Sequence, residues 1–417
     1  MQPASSSEKD SPLKIGPWTR AALIVWATAL VVVAFRLLHL SHAGATYRCY
    51  IGAGESWRAG RPIYGYTGGS PFVYGPLIAA YFAAYTFVPL WFGKIVWLLT
   101  NVALLIGGMF AVLRAGVFPI ASDKGRALVF ILLLPLSLAN LDISQANPAL
   151  AGLLLIAIAA AARERWFLCA IAIGIATYLK IYPLALGLLL CVHAPGKITL
   201  RLACALILLG LFSLVLQNPR YVLSQYHVWF ASRAGDDRRL NSLARAPLDL
   251  WYLLARLGHL PLSERAYQAL QILSGAGIAV FCRLTPRSQP ARRLAGIYLL
   301  GSCWMILLGP ATESYTYAIL APAFSLGVAV AFCATVPPVA AGLAIISTAL
   351  MLLAQTKSSF FTQWHGGAFE AVRPAAALLF LGFAIPWLGD SAAWAASGSS
   401  RESTPPAERP ACAEPRA

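Results

Sequence analysis

The feature that most constrains the fold is the recurrence of apolar runs of about 20 residues, the length that crosses a bilayer as one helix. Charged residues make up only 12% of the chain, against roughly 25% in soluble domains. The sequence therefore predicts an all-α, polytopic integral membrane protein, multi-pass in the cell membrane. We expect about 12 transmembrane helices and two functional extracytoplasmic loops.

The domain organisation follows from the order of these runs. Residues 1–19 are expected to form a disordered cytoplasmic tail, 20–390 a transmembrane domain, and 391–417 a second disordered tail. The two long loops, 42–76 and 217–248, are expected outside the cytoplasm. The predicted spans are 21–40, 77–90, 95–113, 126–140, 148–162, 167–191, 198–216, 266–281, 295–308, 317–334, 340–353 and 375–388.

The net charge of +16 would suggest nucleic acid binding in a soluble protein. Here Lys and Arg lie mainly in short loops, so orientation and contact with phospholipid or phosphate explain them better, and no nucleic acid partner is expected. The basic linker 283–293 should be cytoplasmic. The positive-inside rule places the turn at 163–165 on the cytoplasmic side, but simple alternation of spans places it on the outer side. Broken helices near 144–148 and 180–183 would change the number of crossings and so the side on which this turn lies.

Metal and cofactor chemistry is not expected. The six His and eight Cys form no CxxC or HxxxH pair, so spacing gives no metal site and no disulfide framework. The cysteines in apolar runs are most simply small core residues.

The first long loop combines charged and aromatic residues. Arg48 and Glu55 exclude it from the hydrocarbon core, whereas Tyr64 and Tyr74 suit either a membrane interface or a sugar-stacking wall. It is therefore either an ordered interfacial loop or part of a functional site. The second loop carries a charge cluster that includes Arg233 and Arg245, either a solvated loop or a lid over an anionic substrate.

Polar residues also interrupt the apolar runs. Asp142, Gln145 and Asn147 have to face protein, water or a ligand. Lys180 lies inside an apolar run and needs a partner or an aqueous cavity, unless its side chain extends to the interface. Pro183, three residues later, can break the helix there.

Four motifs occur in a characteristic order. They are AG-x5-G-x-P-x-Y at 53–64 followed by Phe72, Tyr74 and Pro76; Gln145-x-Asn147; Lys180-x-x-Pro183; and GPATESYTY at 309–317. In this arrangement, over roughly residues 20–317, the chain resembles glycosyltransferase family 87 of the C-type superfamily. The resemblance implies that residues 20–390 form a glycosyltransferase-like domain.

The resemblance implies transfer of a sugar, often mannose, from a polyprenyl phosphate to a hydroxyl of a lipid or cell-envelope acceptor, with inversion. A carboxylate must accept the acceptor's proton, and cations must hold the leaving phosphate. Family members commonly place an Asp early in the first loop, but the corresponding position here is about Thr46. Glu55 and Glu313 are the candidate bases, with Asp142 a third.

The other candidate residues are expected at the substrate. Lys180, supported by Arg245 or Arg48, is expected to bind the phosphate. Gln145 and Asn147 either hydrogen-bond the sugar or join helices. Tyr64 and Tyr74 pack against the sugar or prenyl chain, or anchor the loop at the interface. Two alternatives remain: a non-catalytic relative that binds polyprenyl lipid, and a lipid or sugar transporter, which would need two internally similar halves.

Overall fold

The computed structural model describes residues 15–40, 42–64, 72–235, 246–309, 312–355, 369–390 and 394. Within these ranges the chain is helical and contains no strand. The α-helices, numbered α1 to α15 in order, are Pro17–His39, Ala45–Arg58, Pro76–Ala83, Leu90–Arg114, Asp123–Asp142, Asn147–Ala162, Trp166–Leu179, Pro183–His193, Pro195–Leu216, Pro219–Ala234, Glu264–Leu284, Pro290–Leu307, Ala321–Cys333, Pro338–Gln355 and Val372–Gly389. The turn Ser314–Leu320 is a 3-10 helix that leads into α13.

The all-α, multi-pass membrane fold is confirmed. Seven helical stretches in the described part of the chain are long and apolar enough to cross a membrane. Helices α6, α7 and α8 are apolar but shorter, so the number of twelve spans stays a prediction. Helices α6 and α12 are buried almost all round and form the centre of the bundle.

The predicted span 167–191 folds as two helices instead of one. Helix α7 ends at Leu179 and α8 begins at Pro183, because proline lacks the N–H that would continue the helix. The rings of Trp166 and His193, at the outer ends of the two helices, lie 6.2 Å apart. The two helices therefore form an antiparallel hairpin. The hairpin adds a reversal of the chain, so the side of the membrane assigned to the turns by simple alternation changes. The turn at 163–165 lies at the end of the bundle opposite the tip of the hairpin.

The two long loops meet at the same end of the bundle as that tip. The side chain of Gln225 accepts a hydrogen bond from the N–H of Ile63 at 3.0 Å. The hydroxyl of Tyr221 donates to the carbonyl of Arg61 at 2.7 Å. Both loops thus lie on one side, as expected; that this side is extracytoplasmic stays a prediction. Much of the second loop forms helix α10.

Helix α2, within the first loop, is amphipathic. Its inner face buries Tyr47, Tyr50 and Trp57. Gly54 allows close contact with α3, because a Cβ at this position would lie 2.6 Å from the carbonyl oxygen of Phe82. The loop is therefore a structured cover over the bundle.

The amino-terminal boundary differs from the prediction. Helix α1 begins at Pro17, so the last three residues of the expected tail 1–19 are helical. The reason is a cap from another helix: the carboxylate of Asp123 accepts hydrogen bonds from the N–H groups of Gly16 and Trp18 at 3.2 and 2.8 Å. Residues 1–14 and most of 391–417 lie outside the described residues.

Candidate active site

A tyrosine network joins the first loop to the start of α6. The hydroxyls of Tyr50 and Tyr74 lie 2.9 Å apart, and Tyr74 donates to the side-chain oxygen of Gln145 at 3.2 Å. The hydroxyl of Tyr64 donates to the carbonyl of Tyr74 at 2.8 Å. Three residues selected from the sequence, Tyr64, Tyr74 and Gln145, therefore lie together.

Asn147 extends this network to the second half of the chain. It is the first residue of α6 and is 1% exposed. Its side-chain amide donates to the side-chain oxygen of Asn140 at 2.9 Å and to the carbonyl of Tyr315 at 2.8 Å. Asn147 thus fixes the position of the Ser314–Leu320 turn against α5 and α6.

Lys180 lies at the tip of the α7–α8 hairpin. Its extended backbone ends α7, and its half-buried side chain points to the same 3-10 turn. The ammonium Nζ is 3.4 Å from the hydroxyl of Thr316 and 5.6 Å from the ring centroid of Tyr182. Lys180 lies in an apolar run of the sequence, but the helix break places its ammonium beside a polar turn instead of in the apolar interior.

Glu313 contacts the same threonine. Its N–H donates to the Thr316 hydroxyl at 3.3 Å, and its carboxylate accepts a hydrogen bond from the N–H of Thr316 in a capping box. Glu313 is exposed, whereas Thr316 is 2% exposed. One buried threonine therefore lies between a carboxylate and an ammonium.

Tyr182 is a residue of this site that the sequence reasoning missed. Burial raises the pKa of Tyr182, and the nearby Tyr74 and the Glu313 carboxylate raise it further. Burial likewise raises the pKa of Tyr74, with a smaller contribution from Glu313. Both hydroxyls therefore stay protonated at neutral pH and can donate hydrogen bonds. The sequence feature that could have identified Tyr182 is its position between Lys180 and Pro183.

The structure separates Glu55 and Arg48 from this cluster. The two residues are seven positions apart, so they share one face of α2. That face is exposed, opposite the face that carries Tyr50. Arg58, three residues after Glu55, donates to the hydroxyl of Thr86 at 2.6 Å.

Asp142, the third candidate base, is paired with a cation. Its two carboxylate oxygens accept from Nε and Nη2 of Arg36 at 2.6 and 3.0 Å. The carbonyl of the next residue, Ile143, accepts from the N–H of Thr46 at 3.1 Å. The start of α2 is therefore attached to the end of α5 beside this ion pair.

Arg245 lies outside the described residues. Trp229 of the second loop donates to the carbonyl of Val73 at 3.1 Å. Arg233 lies near enough to Tyr64 for its positive charge to oppose the rise in the Tyr64 pKa that burial causes. The cluster thus combines one carboxylate, two cations and several hydrogen-bond donors at the end of the bundle that both loops cover. Such a set can accept a proton and stabilise a developing negative charge. In the described part of the chain, no three metal-binding side chains lie close enough to hold a metal.

The family described as Glycosyltransferase family 87 matches residues 72–310. No curated protein matches the chain in sequence. Two crystal structures of ArnT from Cupriavidus metallidurans, one apo and one bound to undecaprenyl phosphate, are similar at 18% identity with TM-scores of 0.42 and 0.40. Each comparison covers 88% of this chain and 77% of the other chain.

Proposed function

The chain belongs to glycosyltransferase family 87 and is a membrane glycosyltransferase, and we propose that it transfers mannose from a polyprenyl phosphate to a hydroxyl of a lipid or cell-envelope acceptor. The transfer inverts the configuration at the anomeric carbon. The observation that carries this proposal is the contact of Lys180 and Glu313 with the same residue, Thr316.

Glu313 is the proposed general base. Its carboxylate takes the proton of the acceptor hydroxyl as the oxygen attacks the anomeric carbon and the bond to the phosphate oxygen breaks. Glu313 is exposed at the end of the bundle where the loops meet, so an acceptor can approach it. The capping hydrogen bond from Thr316 holds the carboxylate in place.

Lys180 is the proposed partner of the leaving phosphate. The polyprenyl phosphate gains negative charge as the glycosidic bond breaks, and a fixed ammonium stabilises that charge. Tyr182 can add a neutral hydrogen-bond donor. Arg233, and Arg245 beyond the described residues, are further cations of the second loop that could cover the phosphate.

Gln145 and Asn147 have different proposed roles. The side-chain oxygen of Gln145 accepts from Tyr74, which leaves its half-buried amide group to donate to a sugar hydroxyl. The amide of Asn147 is already bonded to Asn140 and Tyr315. We therefore assign Asn147 to positioning of the turn that carries Glu313.

A second candidate function is a non-catalytic relative that binds polyprenyl lipid. The observation in its favour is Thr46, which stands where the family pattern has an Asp and cannot act as a carboxylate base. Such a protein would bind the donor lipid without transferring the sugar.

The test is transfer from radiolabelled polyprenyl-phosphate mannose by membranes that contain the full chain. Replacing Glu313→Gln removes the base at nearly constant volume and should lower the rate about 100-fold or more. Glu55→Gln is the matched control, because the same change falls on the exposed face of α2. It should leave the rate within about twofold, as most surface substitutions do.

The outcomes separate the two candidates. A wild type that transfers the sugar, with loss in Glu313→Gln alone and an unchanged thermal midpoint, supports the proposed enzyme. A wild type that binds the donor lipid but transfers neither mannose, glucose nor arabinose supports the non-catalytic relative. Loss of transfer in Glu55→Gln alone would move the base to the first loop.

A further inference from the structure

A basic cavity of about 670 Å³ lies at the end of the bundle opposite the two loops. Helix α6 begins at Asn147 in the candidate active site and ends at Ala162 in the wall of this cavity. At about 1.5 Å per residue, the two sites are about 24 Å apart. In the predicted orientation, the cavity opens to the cytoplasmic side of the membrane.

The lining carries an excess of positive charge. Five basic residues contribute to the lining, which has one acidic residue, Glu164; the basic residues are Arg163, Arg165, Lys197, Arg287 and Arg293. The Glu164 carboxylate lies 2.9 Å from Nζ of Lys197, with both side chains more than half exposed. An exposed pair of this kind contributes little, so the cavity remains strongly cationic.

Arg293 is the buried cation of the cavity, with only 7% of its surface exposed. Its Nη1 lies 3.5 Å from Nδ1 of His193, and its Nη2 donates to the carbonyl of Thr285. Within the described ranges no carboxylate pairs with Arg293 and its Nε has no hydrogen-bond partner. A buried guanidinium without a counter-charge is costly, so this position favours a bound anion.

Trp166 supplies a second buried donor without a partner. It is 8% exposed and lines the cavity, and its indole N–H makes no hydrogen bond with any residue that the structure describes. An indole N–H can only donate. An acceptor from outside the chain would satisfy it.

Three helix amino termini add to the attraction for anions. Helices α7, α9 and α12 begin at the cavity, at Trp166, Pro195 and Pro290. Each amino terminus carries a partial positive charge. The last carbonyls of α6, which would oppose it, already accept hydrogen bonds from the N–H groups of the turn at 163–165.

We propose that this cavity binds the phosphate group of an anionic membrane lipid. Phe167 and Leu200, 68% and 75% exposed, follow the cavity residues Trp166 and Lys197 on α7 and α9. Acyl chains can lie on these residues while the phosphate reaches Arg293 and Trp166. The same phosphate chemistry could come from free phosphate in the cytoplasm, and the experiment separates the two sources.

The experiment measures retention of phosphatidic acid by the purified full chain in mixed micelles, using native mass spectrometry. The triple variant Arg165→Gln, Lys197→Gln, Arg287→Gln removes three cavity charges from exposed positions, so the fold should persist. Lys124→Gln is the matched control, because this exposed lysine lies at the same end of the bundle but outside the cavity. We expect lipid retention by the triple variant to fall at least about tenfold. The control should retain as much lipid as the wild type.

A second arm adds inorganic phosphate to the lipid-bound wild type. Persistence of the lipid supports the proposed lipid phosphate. Complete displacement by millimolar phosphate would overturn the lipid as the source and leave a site for soluble phosphate. Equal retention by the wild type and the triple variant, or an equal loss in Lys124→Gln, would overturn the cavity as the binding site.

Discussion

The first loop and the helix breaks both carry charged residues at the same end of the bundle. The charged side chains of the loop point to the surface, whereas those at the breaks contact the same residue. Helix α2 of the first loop turns Arg48 and Glu55 to the surface and buries Tyr50. The breaks at Lys180 and Glu313 bring opposite charges to one threonine. A complete amphipathic helix turns its charges to one exposed side, whereas a break inside an apolar region places its polar groups beside those of another break.

This difference teaches that the most charged segment of a membrane protein need not supply its chemistry. The first loop contributes aromatic rings and a cover, and the interruptions of the apolar helices contribute the carboxylate and the ammonium. The predictions below test this division between cover and chemistry, beginning with the largest expected effect.

Lys180→Gln should lower the transfer rate about 100-fold, because it removes a cation that stabilises the leaving phosphate. The loss should appear in kcat more than in KM, and Lys180→Arg should restore part of it. The measurement is steady-state transfer with varied donor concentration. Arg58→Gln, an exposed cation of α2, should keep the wild-type rate; an equal loss there would show that the general charge of this end of the bundle, and not the break, determines activity.

Thr316→Val should lower transfer about tenfold, a change of about 1.4 kcal/mol in the barrier, because it removes the hydroxyl that accepts hydrogen bonds from Lys180 and from the N–H of Glu313. Valine has nearly the shape of threonine but lacks the hydroxyl that contacts both Lys180 and Glu313. Thr316→Ser keeps the hydroxyl and should recover most of the rate, as measured by initial-rate transfer. A fully active Thr316→Val variant would show that the activity of Lys180 and Glu313 does not depend on their shared contact with the Thr316 hydroxyl.

Gly54→Ala tests the first loop as a cover. The added Cβ would lie 2.6 Å from the carbonyl oxygen of Phe82, so α2 must move, at a cost of about 1 to 3 kcal/mol. Gly52→Ala is the matched control, because a Cβ there meets nothing within 4 Å. Thermal unfolding should show a lower midpoint for Gly54→Ala alone; equal midpoints would mean that α2 packs loosely on α3.

The sequence predicted the helical membrane fold and the two loops on one side, because apolar run length and charge position determine both. It allowed a helix break at Pro183 but did not predict that the two halves of 167–191 pair as an antiparallel hairpin. An apolar run with one break fits a kinked span as well as two short antiparallel helices, and the choice depends on tertiary contacts such as that between Trp166 and His193.

The candidate site was predictable in part. Gln145, Asn147, Lys180 and Glu313 were selected as polar interruptions and Tyr74 as an aromatic residue of the first loop, and the structure brings them together. Glu55 could not be distinguished from Glu313 by sequence, because the exposed face of α2 depends on how α3 covers the other face. Tyr182 was missed because a tyrosine in a break resembles an interfacial anchor.

Arg48→Gln should have the smallest effect and most directly tests the outer face of α2. Arg48 lies close enough to Lys94 for their positive charges to repel each other, and Lys94 is already bonded to the carbonyls of Leu37 and Ala43 at 3.1 and 3.3 Å. Removing Arg48 relieves this repulsion, so the thermal midpoint should stay equal or rise slightly while transfer stays within about twofold. A large loss of transfer with an unchanged midpoint would instead assign Arg48 to the donor phosphate. The charged face of α2 would then have to turn toward the site when substrate binds, and the division between cover and chemistry would hold only for the substrate-free protein.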